Sequence, residues 1–153
     1  MSDEAFYDRL ERQLRALLEE ERDFVANAGN FAALVRHELP DVNWAGFYIA
    51  NPAEELVLGP FCGRPACTRI APGRGVCGAA AKRRATLVVD DVNAFSDHIA
   101  CDAASRSEIV VPIVRDDGLF GVFDVDSPLT ARFSEADRAG LERLVGVFSE
   151  SLG

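Results

Sequence analysis

An α+β domain, with terminal helices packed on one face of a mostly antiparallel sheet, follows from three observations on this 153-residue sequence. Both ends carry apolar residues at helical spacing. The middle carries paired apolar runs separated by turn residues. No repeat, linker or low-complexity stretch divides the chain, and its 48% hydrophobic content is enough for one core.

The first helix is predicted from Phe6, Leu10, Leu14, Leu17 and Leu18, with charged residues between them and Ser2 or Asp3 as N-cap. A short second helix, marked by Phe31, Leu34 and Val35, is expected to start after Gly29-Asn30 and to end at Pro40. Trp44–Ile49 and Glu55–Phe61 flank the Asn51-Pro52 turn signal and read as a hairpin. Gly73–Gly78 reads as a tight loop leading into a short Ala-rich helix, followed by a strand over Ala85–Val89. Glu108–Val114 and Leu119–Asp126 form a second hairpin through Asp116-Asp117-Gly118, where Gly supplies the positive φ of a tight turn. Pro112 marks an edge or an irregular ladder position. The last helix opens at Ser134 with Asp137 three residues on, an acidic form of the capping box, and presents Leu141, Leu144, Val145, Phe148 and Leu152. The apolar stripes of the two terminal helices either cover the chain's own sheet or pair across a homodimer.

A formal charge of −9 excludes the basic footprint of a nucleic-acid binder. No apolar run reaches the ~18 residues of a membrane span, and the acidic Met1–Glu4 is unlike a signal peptide, so a soluble cytoplasmic protein is expected. The four cysteines, Cys62, Cys67, Cys77 and Cys101, are separated by four, nine and twenty-three residues. Without a leader they do not read as a secreted disulfide framework, and they lack the two close pairs of a zinc site, so no metal or cofactor is expected. The Gly73-Arg74-Gly75 loop lacks a following Lys-Ser/Thr, which rejects nucleotide hydrolysis.

The segment from His98 to Glu108 sets Cys101 in a polar, non-periodic stretch before the strand pattern that begins at Ile109. A cysteine there is expected to be exposed and reactive. Cys67 follows Pro65 in a loop, Cys77 sits at a helix start and reads equally as a small buried residue, and Cys62 reads as packing. Trp44 and Tyr48 share one strand face, either core or pocket, and His98 and His37 read as surface residues. Asp124 and Asp126 also share a face. They lie on the inward side of an apolar strand, which favours a site over a solvated edge.

Asn43–Tyr48, Leu58–Phe61, Pro65-Ala66-Cys67, Gly73–Gly78, His98–Ser105 and Asp124–Ser127, in this order, resemble the free methionine-(R)-sulfoxide reductases, stand-alone GAF-domain enzymes. The likeness spans about positions 5 to 150, with Cys62 a departure from the pattern. It implies one GAF domain over 1–153 with its core at about 30–152, and a six-stranded antiparallel sheet flanked by N- and C-terminal helices. The implied reaction is reduction of the free R epimer of methionine sulfoxide, with thioredoxin as electron donor and a function in oxidative stress. Carried over by motif, Cys101 is the catalytic cysteine, Cys67 its resolving partner and Cys77 a third cysteine able to exchange. Trp44, Tyr48, Glu108, Asp124 and Asp126 form the substrate pocket.

Such a reaction needs a nucleophile for sulfur and a proton for the departing oxygen. A helical turn opening at Asp102–Ser105 would lower the Cys101 thiol pKa, while nearby acids oppose that. Glu108, Asp124 and Asp126 converge if their strands pair through the Asp116–Gly118 turn, and crowding then raises at least one carboxyl pKa, giving a candidate general acid. The rival readings are a ligand-binding GAF module and a thiol sensor whose only event is Cys67–Cys101 oxidation.

Overall fold

The computed structural model describes residues 3–95, 104–116 and 118–153. Helices α1 (Asp3–Leu18) and α2 (Phe24–Glu38) precede strands β1 (Trp44–Ala50), β2 (Leu56–Cys62) and β3 (Arg69–Ile70). Helix α3 (Gly75–Arg83), strand β4 (Leu87–Val89) and a 3-10 turn at Val92–Ala94 follow, then β5 (Ser107–Arg115), β6 (Gly118–Ser127) and α4 (Glu135–Ser151). The six strands form one sheet in the order β3-β2-β1-β6-β5-β4, every neighbour antiparallel.

Strand alternation divides the interior in two. Ala45, Phe47, Ile109, Val111, Ile113, Phe123 and Val125 face α1, α2 and α4, where Phe31 stacks on Phe123 with centroids 4.4 Å apart. Trp44, Tyr48, Val110 and Val122 face the other way, against Val76, Cys77, Ala80 and Ala81 of α3. Helices therefore cover both faces, which corrects the expectation of helices on one face alone. The Ala- and Gly-rich α3 lacks a wide apolar stripe and still closes the second face, because small residues let it lie near the strands.

Helix α2 is longer than the sequence pattern suggests. Asp23 caps it by accepting from the Ala26 N–H at 3.0 Å, and the Asn27 amide donates to Glu21 O and Ser151 Oγ. Gly29-Asn30 thus lie inside the helix and not before it. β3 and the 3-10 turn are too short to leave a periodic signature. Pro112 pairs with Val122 of β6 but lies beyond β4, which stops opposite Val110, so the missing N–H falls on an open edge as expected. In the β5–β6 turn Asp116 takes a positive φ of 47°, and Asp117 lies outside the described residues.

At the C-terminal end Ser134 and Asp137 form the capping box of α4. Asp137 also accepts from Tyr7 Oη at 2.7 Å and Arg132 Nη1 at 3.0 Å, tying α1 to α4. Gly140 gives the Tyr7 ring its space, since a Cβ there would run into the ring. No helix among the described residues is long and apolar enough to cross a membrane.

Candidate active site

Ladder register builds the site on the α3 side of the sheet. Trp44 of β1 stands opposite Asp126 of β6, which stands opposite Glu108 of β5. One pair along, Gly46 stands opposite Asp124, and Asp124 opposite Val110. Three carboxylates from two strands thus meet at one end of the sheet, all buried, and Asp124 is only 5% exposed. The convergence expected from the second hairpin is present.

From α3, the Cys77 thiol points at Glu108 with Sγ 3.9 Å from Oε2. Burial first, then the Asp124, Glu108 and Asp126 charges, push this thiol well above its ordinary range and keep it protonated. Asp124 is raised well above the usual carboxylate range by burial and by the Asp126 and Glu108 carboxyls. Its Oδ1 is buried without a hydrogen-bond partner. A protonated Asp124 relieves the repulsion among three buried acids, and it leaves a proton positioned for transfer.

Donor atoms of Cys77, Glu108 and Asp124 lie within 4.8 Å of one another, close enough to share a small cation or an ammonium group. Cysteine spacing could not show this, because two of the three donors are carboxylates far away in sequence.

The aromatic wall comes from β1 and β2. Trp44 stacks between Tyr48 and Phe61, with centroids 6.1 and 5.3 Å away. Its indole N–H donates to Arg64 O at 3.0 Å, and the Tyr48 hydroxyl donates to Cys67 O at 2.9 Å. Burial and the acidic cluster raise the Tyr48 phenol above its ordinary value, so it stays a donor. Gly63 begins the loop with φ of 150°, its α-carbon against the Trp44 indole, where a side chain would collide with the ring. Phe61 and the two backbone acceptors were not among the sequence candidates, and only the proximity of Phe61 to Cys67 hinted at them.

Cys67 is disulfide-bonded, while Cys62 and Cys77 are free thiols. Cys62 pairs with Ala45, so its side chain lies on the sheet face opposite the acids. Cys101 and His98 lie outside the described residues. Arg106 N–H donates to Ser127 O at 2.7 Å just before β5 begins, at the acidic end of the sheet.

Fold and site together define the class: the chain belongs to the GAF-domain family, whose model matches residues 10–152. Curated relatives narrow the assignment. It is 46% identical over 152 residues to the free methionine-R-sulfoxide reductase of Escherichia coli, covering 99% of this chain and 92% of that one. Protein YtsP of Bacillus subtilis is 52% identical, covering 95% and 88%. The X-ray structure of the Neisseria meningitidis free methionine-R-sulfoxide reductase in complex with its substrate superposes with a TM-score of 0.94 at 42% identity, covering 99% and 91%. Within the GAF family the chain therefore groups with the free methionine-R-sulfoxide reductases, and it is an oxidoreductase.

Proposed function

We propose that this chain reduces free L-methionine-(R)-sulfoxide to methionine, with Cys101 as nucleophile and thioredoxin as the final reductant. The observation that carries the reading is the buried Glu108–Asp124–Asp126 cluster beside the Trp44–Tyr48 aromatic wall, where burial and the neighbouring acids push the Asp124 carboxyl up. Cys101 thiolate attacks the sulfoxide sulfur, and Asp124 supplies the proton that the oxygen takes up. The oxygen then passes from the methionine sulfur to the Cys101 sulfur, breaking the sulfoxide S–O bond, so that methionine leaves reduced and Cys101 is left oxidised as a sulfenic acid. Cys67 thiol then displaces that oxygen as water and closes a disulfide, which thioredoxin reopens by exchange.

The remaining carboxylates bind the substrate ammonium, and Trp44 and Tyr48 enclose its S-methyl end. Buried charge of this kind favours a free amino acid, because a peptide-bound methionine has no ammonium to offer. Cys77, held as a neutral thiol, donates to Glu108 and is not required for the first turnover. A disulfide that forms and is reopened in each turnover is compatible with a reducing cytoplasm, where such bonds are transient and catalytic.

The test is turnover of each epimer with NADPH, thioredoxin reductase and thioredoxin. Consumption confined to the R epimer, abolished in Cys101→Ser, is the expected result. Cys67→Ser should release about one equivalent of methionine per chain and then stop, since its sulfenic acid has no partner. Loss of thiols to peroxide with no turnover of either epimer would favour a redox sensor.

A further inference from the structure

Two β1 side chains reach up to a single loop. Trp44 and Tyr48 are each only 2% exposed, and each places its one hydrogen-bond donor on a backbone carbonyl between β2 and β3. Arg64 O and Cys67 O are those acceptors, three residues apart, so the two bonds bracket the stretch that delivers the Cys67 sulfur. The loop's far end is fixed by Leu58 N–H on Thr68 O at 3.0 Å, and its near end turns at Gly63 against the Trp44 ring. A buried N–H or O–H must find an acceptor, and here both find theirs in this one loop. Here the polar edge of each ring is committed to the loop while Cys67 is in its disulfide.

We propose that Trp44 and Tyr48 are positioning residues for Cys67, their N–H and O–H holding the resolving cysteine where it closes its disulfide. The assignment rests on the reading of Cys67 as the resolving thiol. In the step concerned, Cys67 thiol and the Cys101 sulfenic acid form one S–S bond and release one water; the sulfenic sulfur is reduced and the Cys67 sulfur oxidised. Holding the loop speeds this step because the loop need not search for its partner. The same two bonds stabilise the oxidised state against reopening.

Tyr48→Phe and Trp44→Phe remove the donors and keep aromatic rings. Reduced protein is oxidised with one equivalent of hydrogen peroxide in one arm and of methionine-R-sulfoxide in the other, both with dimedone present. Mass spectrometry then reads the ratio of dimedone-labelled to disulfide-linked chains. Each variant should raise this ratio about five- to tenfold in the peroxide arm, as expected for loss of one net hydrogen bond of roughly 1 kcal/mol. A wild-type ratio in both variants would overturn the assignment, because a ring that only contacts substrate does not alter partitioning after peroxide. A raised ratio with peroxide, together with no methionine formed from the sulfoxide by wild type, would uphold the loop assignment and refute the substrate reading.

Discussion

In the proposed reaction Asp124 links chemistry and stability through one proton. Its carboxyl is raised by burial and by two neighbouring acids, so the folded protein holds the proton more tightly than the unfolded chain does. The resulting stabilisation is complete below about pH 4, the ordinary aspartate value, and is lost as pH rises through the raised folded value. Asp124→Asn removes the dependence. Its urea midpoint relative to wild type should therefore be higher at pH 8 than at pH 4, and equal differences at both pH values would locate the proton elsewhere. The same variant should lose about 10²-fold or more in turnover, the usual share of a positioned general acid, and should lose the alkaline fall in rate that deprotonation of Asp124 imposes. A more stable but slower enzyme is the joint expectation. At this scale the sequence showed the acids well, because Asp124 and Asp126 alternate with Phe123 and Val125 on a strand whose other face is apolar. It could not show the Cys77 thiol beneath Glu108, which depends on how α3 lies across the sheet.

Among the elements, α4 is the one whose ends are most clearly written in the sequence. Ser134 and Asp137 are three apart, and the structure forms both reciprocal bonds of the capping box. Ser134→Ala should cost about 1 kcal/mol in chemical denaturation, within the usual range for a lost N-cap. Asp137→Ala should cost more, since Asp137 also holds Tyr7 and Arg132. Equal losses in the two variants would mean that the Tyr7 bond contributes nothing net. Helix α2 was less legible at its start, where Asn27 and Gly29 resemble loop residues. Asn27 is buried only because Glu21 and Ser151 supply acceptors, and Ser151 is 124 residues away. Sequence-local reasoning has no access to such a partner. The β5–β6 hairpin was legible because two apolar runs flank distinctive turn residues; β3, with two residues, carries too little pattern to detect.

Over the whole molecule, the sheet separates a close-packed apolar face from the face that carries the candidate site. The helical side of Phe31, Phe47, Phe123 and Phe148 is apolar and close-packed, and Phe31→Ala should cost about 3–5 kcal/mol, read as a lower denaturation midpoint. A loss under 1 kcal/mol would mean that the layer repacks easily. The other side spends its interior on three acids, a thiol and two aromatic donors, and it gains less from burial in exchange for chemistry. The close-packed face is also assembled from opposite ends of the chain. Tyr7 of α1 meets Asp137 of α4 across 130 residues, and the Arg143 guanidinium reaches Asp8 and Glu11 in the same groove. During synthesis α1 leaves the ribosome before any strand and well before α4, so its apolar stripe has no complete partner until most of the chain has emerged. The helical layer of this domain therefore closes only once α4 is available, which makes its completion a long-range and comparatively slow event in folding.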